Sequence, residues 1–241
     1  MSVDRTCQLL NSYHRTVRFW PSCLLFLTLL ALAACKGGPS KASSPAMPAN
    51  GVAKVVAFGD SLTAGYGLSP EESYPELLQK RLTADGLNYE VVNAGISGDT
   101  SAGGVRRINW TLEGGDVKVI IVELGANDIL RGLDIAEMKE NLSTIIEHAK
   151  KRGAQVLLAG MKAPTNSGID YCRWTDEAFI DLAKEHNVAL IPFLLDRVAG
   201  IPSLNQADGI HPNPAGARIV ADTVYRYLKP MLEKTDKVAS K

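Results

Sequence analysis

The chain has 241 residues, 46% of them hydrophobic and 22% charged, which suits one generous globular domain with a real core. Basic and acidic residues balance at 26 each, which excludes a protein that captures nucleic acid through a net positive field. Partners must be recognised by a local site.

Along the chain, the first segment differs from the rest. Arg5, Arg15 and Arg18 precede the apolar run "FWPSCLLFLTLLALAA", which Pro21 and Ser22 interrupt. The run falls short of the about 20 apolar residues that a membrane span needs. Early positive charge, an apolar stretch and small residues at a junction read as a secretory leader over 1–34. The junction "LAAC", Leu32 to Cys35, resembles a bacterial lipobox. That resemblance implies cleavage before Cys35, lipidation of Cys35, and a cell-envelope lipoprotein anchored to a membrane. Lys36 after the cysteine, rather than Asp, points to the outer membrane by the same resemblance. An ordinary leader cut nearby, with Cys35 incidental, is the alternative. Cys7 and Cys23 depart with the leader, so Cys172 is left without a partner for an internal disulfide and reads as a packed or loop thiol. Loss of the leader leaves 23 basic against 25 acidic residues, a mildly acidic remainder. The stretch "KGGPSKASSPAMPANG" offers only Met47 to a core, so 35–51 reads as a flexible tether ahead of a domain over 52–241.

From residue 52 onward, short apolar runs alternate with longer helical patterns. Strands are predicted at 53–58, 89–94, 117–124, 155–161 and 188–193, rich in Val, Ile and Leu without strict alternation. Continuous apolar runs belong to parallel strands covered on both faces. Helices are predicted at 74–84, 134–152, 175–187 and about 214–232, with a further helix capped by Asp99 or Thr100. This rhythm implies an α/β fold, a three-layer α/β/α sandwich around a parallel sheet.

In such sheets ligands bind beyond the carboxyl ends of the strands. Ser61 follows the first strand, Ser97 and Gly98 the second, Asn127 the third, and the "DGIHP" loop the fifth. A serine hydroxyl becomes nucleophilic only with a base in hydrogen-bond reach. His148 and His186 read as solvated helix-end residues, whereas His211 lies in a rim loop stiffened by Pro212 and Pro214. Asp208, three residues earlier, is spaced to hold one ring nitrogen and aim the other. Gly98 allows its bare N–H to approach a ligand closely, and Asn127 carries an amide donor at the same edge, which suits a developing oxyanion.

Together "FGDSLTAGYGL", "VVNAGISGDTS", "VELGANDILRG" and "DGIHPN" resemble the four sequence blocks of the SGNH, or GDSL-type, hydrolase superfamily, on its bacterial arylesterase and thioesterase/lysophospholipase branch. The resemblance spans nearly everything from Val55 to the last helix. It implies a flavodoxin-like five-stranded sheet and a serine esterase acting through an acyl-enzyme, with Ser61 as nucleophile, His211 as base and Asp208 as orienting acid. The oxyanion hole it implies is made by the N–H groups of Ser61 and Gly98 and the Asn127 side chain. Ala126 departs from the Gly-Gly-Asn-Asp of many relatives.

The expected substrates are small acyl esters or lipids, with no cofactor, no metal and no nucleic acid, and a monomer is expected. No Gly-x-Ser-x-Gly elbow occurs, which argues against an α/β-hydrolase; "GYGLSP" lacks the third glycine of a dinucleotide loop, and no His/Cys cluster has zinc spacing. A carbohydrate or cell-wall O-acetylesterase and a catalytically silent binding lipoprotein remain as alternatives. The loops at 129–134 and 162–174 are expected to flank the cleft and set acyl preference. Tyr171 and Trp174 either line a lipid groove or pack the next helix.

Overall fold

The computed structural model describes residues 51–239. The expected leader over 1–34, Cys35, and the tether as far as residue 50 lie outside the described residues. Five strands, β1 (Ala53–Gly59), β2 (Tyr89–Gly95), β3 (Val117–Glu123), β4 (Gln155–Ala159) and β5 (Ala189–Ile191), form one sheet in the order β2-β1-β3-β4-β5, and every neighbouring pair is parallel. The helices are α1 (Ser61–Ala64), α2 (Tyr74–Ala84), α3 (Ser101–Thr111), α4 (Ala126–Leu130), α5 (Ile135–Lys151), α6 (Ile169–His186) and α7 (Pro214–Ala239).

The central strands bury continuous runs, Val55–Phe58 on β1, Val119–Val122 on β3 and Val156–Ala159 on β4, because helices cover both of their faces. At the edge, β2 instead mixes buried Tyr89 with exposed Glu90. Right-handed crossovers carry α3, α5 and α6 to one face, where they pack side by side, and α2 with α7 to the other. On α5, Met138, Leu142, Ile145, Ile146 and Ala149 recur at helical spacing and are buried, while Glu137, Glu140 and Glu147 face water. Each buried large side chain of this kind contributes about 1.5–3 kcal/mol.

Four element ends differ from the sequence expectation. β4 and β5 stop early, since Gly160 N–H bonds back to Ile191 O (2.8 Å) and the next residue, Pro192, has no N–H for a ladder. α6 begins at Ile169, so the predicted loop 162–174 is helical in its second half; Thr175 lies inside the helix, with its Oγ1 bonded back to Tyr171 O at 2.9 Å. α7 continues beyond 232 to Ala239, through Pro230. Among the described residues no helix is long and apolar enough to cross a membrane.

The register positions the site. Gly59 on β1 lies opposite Gly95 on β2 and Glu123 on β3, so three strands end in one plane and their following loops open on a common edge.

Candidate active site

The chain leaves β1 at Gly59, where a Cβ would collide with Thr63 Oγ1 and a carboxylate oxygen of Glu123. Only glycine permits that approach. Asp60 then caps α1, its Oδ1 accepting from the Leu62 N–H at 3.0 Å. Ser61 is the first residue of this four-residue helix, so its N–H is one of the orphan donors of a first turn. No acceptor among the described residues takes that N–H.

Ser61 Oγ lies 2.8 Å from His211 Nε2, and His211 Nδ1 lies 2.7 Å from Asp208 Oδ2. The second oxygen of Asp208 accepts the backbone N–H groups of Ile210 and His211, each at 3.0 Å. The His211 side-chain bond, then these backbone donors, hold the Asp208 carboxyl down at about 2. Gln206 fixes the loop: its N–H bonds His211 O (2.7 Å) and its Nε2 bonds Tyr66 O (2.7 Å), just beyond α1. The Tyr66 ring packs on the imidazole, with centroids 4.8 Å apart.

Gly98 sits at φ +80°, in the left-handed region that a side chain strains, and its N–H also lacks an acceptor among the described residues. Its carbonyl accepts from Arg131 Nη2 at 2.8 Å. Asn127, in α4, reaches the same edge, but its amide is engaged: Nδ2 lies 3.0 Å from Asp60 Oδ2 and 3.0 Å from Asp99 O. A part-buried amide left without acceptors is costly, so the loops occupy it until something better arrives. An oxyanion here would share or displace one of those bonds.

Three supporting residues escaped the sequence reading. Arg107 of α3 donates to Asp99 Oδ2 (2.7 Å), Ala94 O (2.7 Å) and Gly59 O (2.9 Å), and its guanidinium lies over the Phe58 ring. It ties the ends of β1 and β2 to the Gly98 loop, and no spacing in "SAGGVRRINWT" marks it. Asp128 takes the Ser101 N–H (2.8 Å) and Oγ (2.6 Å), docking α4 onto the start of α3. Glu123 is fully buried, and its Oε2 accepts from the Asp60 N–H, the Thr63 N–H and Thr63 Oγ1. Its signal was visible: an acid in the otherwise apolar end of "VKVIIVEL". Burial pushes its carboxyl well up.

These groups open into a cavity of about 660 Å³, whose walls beyond the polar end include Ile129, Met161, Ala163, Pro164, Phe193 and Leu195. Leu130 and residues 162–166 flank it, as expected of those loops, and Ala126 lines it as well. Tyr171 and Trp174 do not line it. The Tyr171 hydroxyl donates to Leu133 O at 3.0 Å, and Trp174 stands half-exposed over a separate shallow groove. The groove reading of these two residues is therefore corrected for this cavity. His148 and His186 sit near helix ends, but each is paired, with Asn109 Oδ1 and Ser143 Oγ respectively, rather than freely solvated. Cys172 is a free thiol whose Sγ contacts Pro164 O at 3.4 Å. Among the described residues no group of three or more His, Cys, Asp or Glu side chains is arranged to hold a metal ion.

The GDSL-like Lipase/Acylhydrolase family matches residues 57–219. The chain is similar to Esterase TesA of Pseudomonas aeruginosa, 40% identical over 178 residues, covering 74% of this chain and 89% of that protein. An arylesterase of Vibrio mimicus is 34% identical over 205 residues, covering 85% of this chain and 98% of its own length. Among solved structures, a crystal structure of TesA superposes with a TM-score of 0.72 at 40% identity, covering 74% of this chain and 99% of that one.

Proposed function

The chain belongs to the GDSL-like lipase/acylhydrolase family and is a carboxylic ester hydrolase; from that premise we propose that Ser61, His211 and Asp208 are its catalytic triad. One observation carries the assignment: an unbroken hydrogen-bond chain from Ser61 Oγ through both nitrogens of His211 to Asp208, at the polar end of an apolar-walled cavity.

Ser61 Oγ attacks the ester carbonyl while His211 Nε2 takes its proton, and Asp208 steadies the imidazolium through Nδ1. The tetrahedral oxyanion is received by the N–H groups of Ser61 and Gly98, and by Asn127 once its amide exchanges one of its present acceptors. His211 then protonates the leaving oxygen, or the sulfur of a thioester, and an acyl-serine remains. Water, deprotonated by His211, repeats the attack and releases the acid. The apolar walls favour aryl and short-to-medium acyl esters, and suit thioesters and lysophospholipids, over a site built for a lone acetyl group on a carbohydrate. No observation on the site favours the silent-binding reading.

The protein further reads as an exported cell-envelope lipoprotein anchored through Cys35, supported by the "LAAC" junction and the tether composition. Hydrolysis of a p-nitrophenyl ester series of rising chain length, with Ser61→Ala alongside, tests the chemistry. A Ser61→Ala protein as fast as wild type would sink it. Cys35→Ala should release the protein from membranes, and unchanged retention would count against the anchor.

A further inference from the structure

We propose that Glu123 is protonated in the resting enzyme and donates to the Asp60 carboxylate, so that one proton shared behind Ser61 positions both the nucleophile turn and Asn127. Glu123 is a positioning residue, since it lines no part of the cavity. The inference rests on reading Ser61 as nucleophile and Asn127 as an oxyanion donor.

The geometry leaves little choice about the charge. Glu123 Oε2 is fully used, accepting from two backbone N–H groups and the Thr63 hydroxyl, whereas Oε1 is buried and accepts from nothing among the described residues. A buried carboxylate with an idle oxygen is costly to keep ionised. Asp60, 1% exposed, is tied to Glu123 through its own N–H, which donates to Oε2 at 3.1 Å, and its two side-chain oxygens already accept from the Leu62 N–H and Asn127 Nδ2. Two anions this close, both buried, repel each other, and a proton between them removes the conflict.

Among the described residues no cationic side chain is paired with Glu123 or Asp60 to stand in for that proton. The Arg107 guanidinium, which reaches the end of β1, is committed to Asp99, Ala94 O and Gly59 O. From α2, Tyr74 faces the pair, bonded to Thr63 Oγ1, and burial raises its phenol so that it stays neutral. His211 favours the charged form of Asp60. Burial raises both carboxyls, and Asp60 keeps the negative charge because the Leu62 N–H and the Asn127 amide point at it. The shared proton thereby steadies the carboxylate that holds the Asn127 amide. Losing it would force two like charges apart at the root of the site.

Glu123→Gln mimics the protonated acid, with one oxygen for the three donors and an NH₂ to give to Asp60. Glu123→Leu keeps the bulk and loses every hydrogen bond. With p-nitrophenyl butyrate, Glu123→Leu is expected to lower kcat by about 10²–10³ with little change in KM, the scale of a lost oxyanion donor. Glu123→Gln is expected to rescue most of that loss, and the fall in kcat expected of wild type as rising pH strips the Glu123 proton should be missing from it.

A second readout is independent of turnover. An acid whose folded value is raised binds a proton that the unfolded chain has released, so wild-type stability falls as pH rises from the unfolded value through the folded one. Glu123→Gln should remove the Glu123 share of that slope, leaving the part that Asp60 contributes. Infrared spectra near neutral pH should show a carboxylic-acid C=O band in wild type that is missing in Glu123→Gln. Absence of this band, or a Gln variant as impaired as the Leu variant, would overturn the proposal. If Ser61→Ala stayed active, the catalytic reading would fall, while the infrared and stability arms would still decide whether the proton is there.

Discussion

Around Ser61 the supporting groups are out of water: Asp60 is 1% exposed and Glu123 0%. Around His211 the supporting carboxylate of Asp208 has 38% of its side chain exposed, in a loop that carries no buried acid. The first half is held by residues from β3 and α3, brought from 40 or more positions away to the end of β1. The second is held over three residues of sequence, with Gln206 as the tie across to Tyr66. Buried hydrogen bonds meet no competition from solvent, so the Ser61 side is stiff at the cost of keeping charges dry. The histidine side is cheap to build, and its rigidity comes from short loop geometry instead.

If that contrast is real, removing groups from the two halves should give graded losses. Ser61→Ala should cost about 10⁶ in kcat and Asp208→Ala only about 10⁴, measured on one p-nitrophenyl ester. Equal losses would mean that the exposed half is no softer than the buried one. Asn127→Ala should cost about 10²–10³ in kcat, with KM little changed. An undiminished kcat would leave the oxyanion to the two backbone N–H groups alone. Arg107→Met acts on the buried half through structure, and should lower unfolding stability in urea by about 2–4 kcal/mol. A change below 0.5 kcal/mol, the usual scale of a surface substitution, would show that the clamp is not needed.

The smallest effect is in pH. Asp208 is held down at about 2, so its contribution to stability is present above its unfolded value and lost as pH falls through the folded one. The stability gap between wild type and Asp208→Ala should therefore be flat between pH 7 and 5 and close below about 4. A gap that shrinks near neutrality would mean that another group holds the imidazole.

Much of the site was legible because its signals are local. Ser61, Gly98, Asn127 and the Asp208–His211 pair each follow a strand end, and strands announce themselves as apolar runs. Helix boundaries were less legible. Nothing in "GIDYCRWTDEAF" separates loop from helix until Thr175 is seen bonding back to Tyr171. The resting acceptors of the Asn127 amide were hidden for a related reason, since Asp60 and Asp99 sit on two other loops. Arg107 left no trace because a guanidinium on a helix looks the same whether it meets water or three strand-end carbonyls and carboxylates.

What the order of residues determined by itself is the alternation of strands and helices, hence a parallel sheet with one functional edge, because hydrophobic periodicity and turn chemistry act over a few residues. Which groups are charged, paired or starved of partners at that edge was decided only by packing. Glu123 becomes an acid with an idle oxygen, and Asp60 its counterpart, when β1 and β3 are zipped in register and water is excluded from between them. Desolvation is a property of the assembled neighbourhood, and no single stretch of chain contains it.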